Sequence, residues 1–233
     1  MSLPKRFYKD VATAPEGDGV AVLLDGKPIR TPAKAKLSLP TQALAEAVAE
    51  EWRAQTERID PETMRLTKLA NSAIDGVRGR EGAVLDDLIA FAASDLLCYR
   101  ADGPEGHIAK QSEHWDPILA WAKQELGAPL KLAQGIVHVA QPESSLDWLR
   151  ERLKGIDAFG LAALHVITTL TGSALLALAV ALKRFTPDQA WAAAHVDEDW
   201  QIGQWGEDQE AATRRARRRQ DFDAACRMLG LLR

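Results

Sequence analysis

The sequence predicts an α+β protein: a small N-terminal domain, residues 1–78, with a β-hairpin and two helices, then a larger, mainly α-helical domain, residues 79–233. Three observations carry this. The one clearly β-rich stretch, residues 7–39, lies at the N-terminal end. Beyond it the apolar residues recur at helical spacing rather than in alternation. Caps, prolines and glycines then cut that region into helix-sized segments.

In the β-rich stretch, Val20–Leu24 and Lys27–Arg30 flank Asp25-Gly26, a pair whose tolerance of positive φ suits a two-residue type I′ hairpin. Pro28 has no N–H to give a ladder, so its strand is expected at an edge. Leu37–Leu39 can add a short strand. Gly17-Asp18-Gly19 is a turn; it lacks the third glycine and following helix of a dinucleotide fingerprint.

Thr41 caps a helix expected to reach about Gln55, with Leu44, Val48 and Trp52 as its buried stripe. Asp60-Pro61 is a second start signal, with Leu66, Leu69, Ala70, Ala73 and Ile74 forming the apolar face up to Gly76. Gly79–Gly82 is the expected hinge. Residues 83–93 form the next helix, and Leu96–Tyr99 ends it or makes a short strand. Asp116-Pro117 falls inside the following apolar pattern, where a helix restarts or kinks. Gly135–Ala140 alternates like a strand. Helices at about 143–154, 156–170, 173–183, 187–200 and 207–229 complete the chain.

Phe159–Leu182 contains no Asp, Glu, Lys or Arg and is long enough to span a bilayer. Its centre reads Thr171-Gly172-Ser173, a break with a fresh N-cap, so two buried helices joined by a tight turn are expected and no membrane insertion. The net charge of -4 provides no overall attraction to nucleic acid or anionic lipid. Cys98 and Cys226 are isolated, which rules out a CxxC pair or a zinc spacing and fits a reducing compartment. The N-terminus lacks the apolar core of a signal peptide. A cytoplasmic bacterial protein is expected, or one of the mitochondrial matrix if a presequence has been removed.

The stretch from His195 to Glu210 concentrates Asp197, Glu198, Asp199, Glu207 and Asp208 with Trp200 and Trp205. A continuous helix from Trp191 would align Asp197, Gln201, Trp205 and Asp208 on one face. Gly203 and Gly206 argue for a bend instead, each costing about 1 kcal/mol relative to Ala in a helix interior. No P-loop, HExxH, GxSxG or paired histidine spacing occurs, so neither a cofactor nor a metal is expected. The enzyme alternative is a hydrolase-like centre built on His195, Asp197 and Glu198. Arg214, Arg215, Arg217, Arg218 and Arg219 form the one dense basic run. Their helix begins acidic and turns basic, which complements its macrodipole and allows pairs such as Glu210–Arg214, so no nucleic-acid partner is expected.

Several segments taken in order resemble a known family. They are Arg6-Phe7-Tyr8, the Leu24–Pro28 hairpin with Thr31-Pro32, Leu39-Pro40-Thr41, and Ala47–Trp52 with Gln55. Met64-x-Leu66-Thr67, Asp95-x-x-Cys98-Tyr99 and Gln111 with Trp115-Asp116-Pro117 follow, then Asp197-Glu198 with Gln201 and Trp205-Gly206. Together they resemble the assembly chaperones of the ATP synthase α-subunit, the mitochondrial assembly factor 2 type with α-proteobacterial relatives. Arg65 departs from the apolar or Pro residue that many relatives have there, which puts the local helix start in question.

The resemblance implies a chaperone and not an enzyme. Such a protein binds the unassembled α-subunit and shields its β-subunit-facing surface until exchange. It also implies a functional carboxylate at Asp197 or Glu198. The expected partner-binding residues are therefore Asp197, Glu198, Gln201, Trp205 and Asp208. Trp52, Trp115 and Asp116 are assigned structural roles, and a monomer is expected.

Overall fold

The computed structural model of the chain describes residues 3–135 and 137–233. It is an α+β fold, with a small antiparallel sheet near the N-terminus and mostly helices after it. Two compact units divide it. Unit 1 comprises residues up to Glu81 with Asp157–Ala163 and Ala224–Arg233, and unit 2 comprises Gly82–Ile156 and Leu164–Asp223.

In unit 1, β1 (Val11–Glu16) pairs antiparallel with β2 (Gly19–Leu24), from Val11 opposite Leu24 to Glu16 opposite Gly19. The turn into β3 (Lys27–Pro28) has φ of 48° at Asp25 and 77° at Gly26, the two positive values a type I′ hairpin needs. Pro28 sits on the edge strand, paired only with β2. β4 (Ser38–Leu39) joins β2 at Val20 and Ala21. It approaches so closely that a Cβ on Gly19 would lie 2.8 Å from the Leu39 carbonyl oxygen, so that strand start has to be glycine.

Helix α1 (Gln42–Arg53) begins where Thr41 accepts from the Leu44 amide, and it buries Leu44, Ala45, Val48 and Ala49 against β2. Trp52, on the same stripe, is half-buried and lies edge-on to Tyr8, whose hydroxyl donates to the Trp52 carbonyl at 2.7 Å. The start signal at Asp60-Pro61 makes a 3-10 turn, Pro61–Thr63, before α2 (Arg65–Ser72). Glu51 of α1 supplies the missing cap. Its carboxylate accepts from the Leu66 and Thr67 amides at 2.7 and 2.8 Å, anchoring the segment whose start Arg65 had put in question. The helix does not stop at Gly76; a π-helical turn carries it through Ala73–Val77.

Unit 2 is organised around α4 (Glu105–Glu125), which runs unbroken through Pro117. Of the restart or kink expected at Asp116-Pro117, the restart does not occur. Trp115, Ile118, Trp121 and Ala122 are buried along it, and that packing outweighs the one ladder bond proline removes. Before it lie α3 (Glu81–Ala93), a 3-10 turn at Leu96–Cys98, and β5 (Tyr99–Arg100). β5 pairs in parallel with β6 (Ala133–Gln134). The strand expected at Gly135–Ala140 is not found over residues 137–140, and Ile136 lies outside the described residues.

Then come α5 (Glu143–Leu153), α6 (Ala158–Thr171) and α7 (Ala174–Ala181). The break between α6 and α7 is the expected one: Gly172 has φ of 69°, and Ser173 caps α7 by accepting from the Leu176 amide. No helix among the described residues is long and apolar enough to cross a membrane. The last helices are α8 (Pro187–Ala194), α9 (Val196–Trp205) and α10 (Gln209–Leu231). Helices α7, α8 and α9 all pack on α4.

Candidate functional site

The acidic stretch forms α9 and its two ends. At the start, the chain leaves helical geometry at His195, with φ of -117° and ψ of 16°, so the helix expected over 187–200 is two. At the end, Gly206 has φ of 85°, a conformation that costs glycine nothing, while Gly203 stays inside the helix. The bend thus falls at Gly206 alone. Asp208 lies beyond it and caps α10, accepting from the Ala211 amide at 2.8 Å.

Asp197 faces α4. Its Oδ1 accepts from the Gln111 amide nitrogen at 2.7 Å and lies 2.8 Å from His107 Nε2. His107 is stacked on Trp200, with ring centres 5.3 Å apart and planes 8° from parallel. Gly106 makes room for that stack, since a Cβ there would lie 2.9 Å from the Trp200 ring. The Asp197 carboxylate is therefore fixed in direction, and its Oδ2 makes no hydrogen bond among the described residues. Sequence reasoning had not joined His107, Gln111 and Trp200 to Asp197. The first two lie 90 and 86 residues from it, and no local spacing signals such a pairing.

Glu198 faces the other way. Its Oε2 lies 4.0 Å from both the Arg215 Nε and the His195 Nε2. Arg215 also pairs with Asp199 at 2.5 Å, which ties α9 to α10. His195 is buried, its ring 3.9 Å from that of Trp191. Its Nδ1 lies 2.8 Å from the Trp191 carbonyl, which makes that nitrogen the protonated one. Burial holds its pKa below the usual histidine value. Gln201 is exposed, and Trp205 is 80% exposed at the tip of α9.

Two of the residues given structural roles lie on α4. Trp115 is fully buried and donates from Nε1 to the Ala193 carbonyl at 2.7 Å; Asp116 is exposed and pairs with Arg100 at 2.6 Å. The arginine run is largely satisfied by the chain itself. Arg214 pairs with Glu210, Arg215 with Asp199, Arg219 with Asp188 and Asp223, and Arg218 donates to the Leu170 carbonyl. Four of the five arginines of the run are thus engaged within the described chain.

As a catalytic centre the cluster is poorly arranged. His195 is turned into the core, while Asp197 is held by other groups on α4. A nearby cavity of about 210 Å³ is lined by Lys110, His114, Ala192, Val196, Asp199 and Trp200, and by none of His195, Asp197 or Glu198. A braced carboxylate in the first turn of α9 and an exposed tryptophan at its last residue suit the surface of a protein that holds another protein.

The comparisons with known proteins agree. The model of the ATP12 chaperone protein family matches residues 5–123. A crystal structure from Agrobacterium tumefaciens is 49% identical with a TM-score of 0.96, covering 99% of this chain and 87% of that one. Atp12 from Paracoccus denitrificans is 44% identical with a TM-score of 0.94, covering 99% of each chain. The mitochondrial protein atp12 of Schizosaccharomyces pombe is 25% identical over 219 residues, 89% of this chain and 75% of that protein. The chain belongs to the ATP12 chaperone family, whose members are assembly chaperones for ATP synthase and not enzymes.

Proposed function

We propose that the chain binds the unassembled ATP synthase α-subunit through α9 and shields its β-subunit-facing surface until the β-subunit displaces it. The observation that carries this reading is the α9 face itself. It has a carboxylate aimed by Gln111 and His107 with one oxygen left open, and a tryptophan exposed at the helix tip. Asp197 Oδ2 accepts from an arginine or lysine of the client. Trp205 supplies the apolar anchor, with Gln201 between them. Glu198 and Asp208 act at the margins, the first sharing Arg215 and the second capping α10. Burying a large side chain such as Trp205 is worth about 1.5–3 kcal/mol, enough for one residue to dominate a transient interface.

The chaperone works as a monomer in the bacterial cytoplasm, and release follows mass action with the incoming β-subunit. The test is light scattering of dilute, isolated α-subunit with and without this protein, beside an unrelated acidic control. Specific suppression that is lost in Asp197→Lys and in Trp205→Ala, with unchanged circular dichroism, is expected. Full suppression by both variants removes α9 as the client site, and no suppression by the native chain removes the α-subunit as client.

A further inference from the structure

Unit 1 carries a groove that the α9 face does not involve. Its volume is about 480 Å³, and its walls include Phe7, Tyr8, Pro28 and Trp52. Phe7 is 73% exposed, unusual for so apolar a side chain, and sits edge-on to Tyr8 with ring centres 5.4 Å apart. Trp52 lies edge-on to Tyr8 from another side, and its indole N–H is buried without an acceptor among the described residues. Exposed aromatics lining a concavity mark a place where another molecule is covered.

The rim fixes the sign of the charge. The one carboxylate in the lining, Asp25, is already engaged, with Oδ1 accepting from the Lys9 and Asp10 amides at 3.0 and 2.9 Å. Lys27 makes no ion pair among the described residues, and Arg30 donates only to the Lys34 carbonyl. Lys27 and Arg30 thus outnumber the one ionised carboxylate, Asp25, and the lining carries net positive charge. Pro28 on edge strand β3 has no N–H to offer, so strand addition is blocked and recognition passes through side chains.

We infer that this groove docks a short acidic, aromatic-bearing segment of a partner polypeptide, its apolar side chain against Phe7 and Trp52 and its carboxylates on Lys27 and Arg30. The inference rests on unit 1 alone and stands apart from the client assigned to α9.

The test uses the full chain and two labelled peptides, Glu-Glu-Leu-Trp-Glu-Glu and its Lys-for-Glu counterpart, read by fluorescence anisotropy. The acidic peptide is expected to bind. Binding is expected to weaken at least tenfold in the double variant Lys27→Glu, Arg30→Glu and in Phe7→Ala, all exposed positions where a matched thermal melt confirms folding. The lysine peptide is expected to prefer the charge-reversed variant.

Equal binding of both peptides, binding unaffected by Phe7→Ala, or no binding up to about 1 mM overturns the inference. So does concentration-dependent self-association that Phe7→Ala abolishes, since the occupant is then a second copy of the chain. Asp197→Lys is expected to leave peptide binding intact, so a failure here is distinguishable from a failure of the α9 reading.

Discussion

Asp95 is fully buried at the amino end of α7, where its two oxygens accept from the Leu97 and Leu175 amides, each at 3.1 Å. Ser173 and the Ala174 backbone also favour the charged form. Burial nevertheless outweighs them and raises its pKa from 3.8 to about 6, equivalent to roughly 3 kcal/mol against the charged form. Replacing it by Ala strands two buried amides at about 1–3 kcal/mol each but also removes that burial cost, so Asp95→Ala is expected to lose a net ~1 kcal/mol at pH 7.5.

The pH dependence is the sharper test. A carboxylate whose pKa is higher in the folded than in the unfolded chain makes the native state bind the extra proton, so its contribution to stability grows as pH falls from about 6 towards 3.8. At pH 5 the gap between native protein and Asp95→Ala should therefore be wider than at pH 7.5 by about 1 kcal/mol. Asp95→Asn keeps one acceptor oxygen and carries no such window. Urea unfolding at both pH values decides. A gap that narrows on acidification would mean the ionised carboxylate is the stabilising form, and the account of its burial would be wrong.

His195 has the opposite sign. Burial lowers its pKa, so the unfolded chain takes up a proton first and stability falls as pH drops below about 6.5. His195→Gln should flatten that fall in a pH series of melts. Gly106→Ala would place a Cβ 2.9 Å from the Trp200 ring. The gain of about 1 kcal/mol in helix propensity then competes with about 1–3 kcal/mol of overlap. A net loss of up to 2 kcal/mol and displaced His107 ring signals in NMR spectra are expected. Trp115→Phe loses the donor to the Ala193 carbonyl and leaves a void in the middle of α4, costing about 3 kcal/mol in chemical denaturation.

Much of the chain was legible because its signals are local. Thr41, the Asp25-Gly26 turn and the Thr171-Gly172-Ser173 break each specify their neighbours' backbone through a side-chain cap or a positive φ. The acidic start and basic continuation of α10 likewise announce their own i,i+4 pairing. What escaped depends on distant partners. Pro117 reads as a break until the burial of Trp115 and Ile118 on either side of it is known. Glu51 looks like a solvated helix face, yet it caps α2. Asp197 and Trp205 were visible as candidates, but the groups that aim the first come from α4, where only chain folding brings them near. The assignment of residues 157–163 and 224–233 to unit 1 likewise has no local signature.

That last assignment bears on the order in which the protein can be made. Thr41, which opens α1, donates its hydroxyl to the Leu231 carbonyl at 2.6 Å, and Glu50 meets Arg227 at 3.2 Å. A nascent chain therefore carries an unfinished first unit until residues 224–233 are free of the ribosomal exit tunnel. A substitution at Arg227 that breaks its pairing with Glu50 would thus be felt in the packing of α1, far earlier in the sequence.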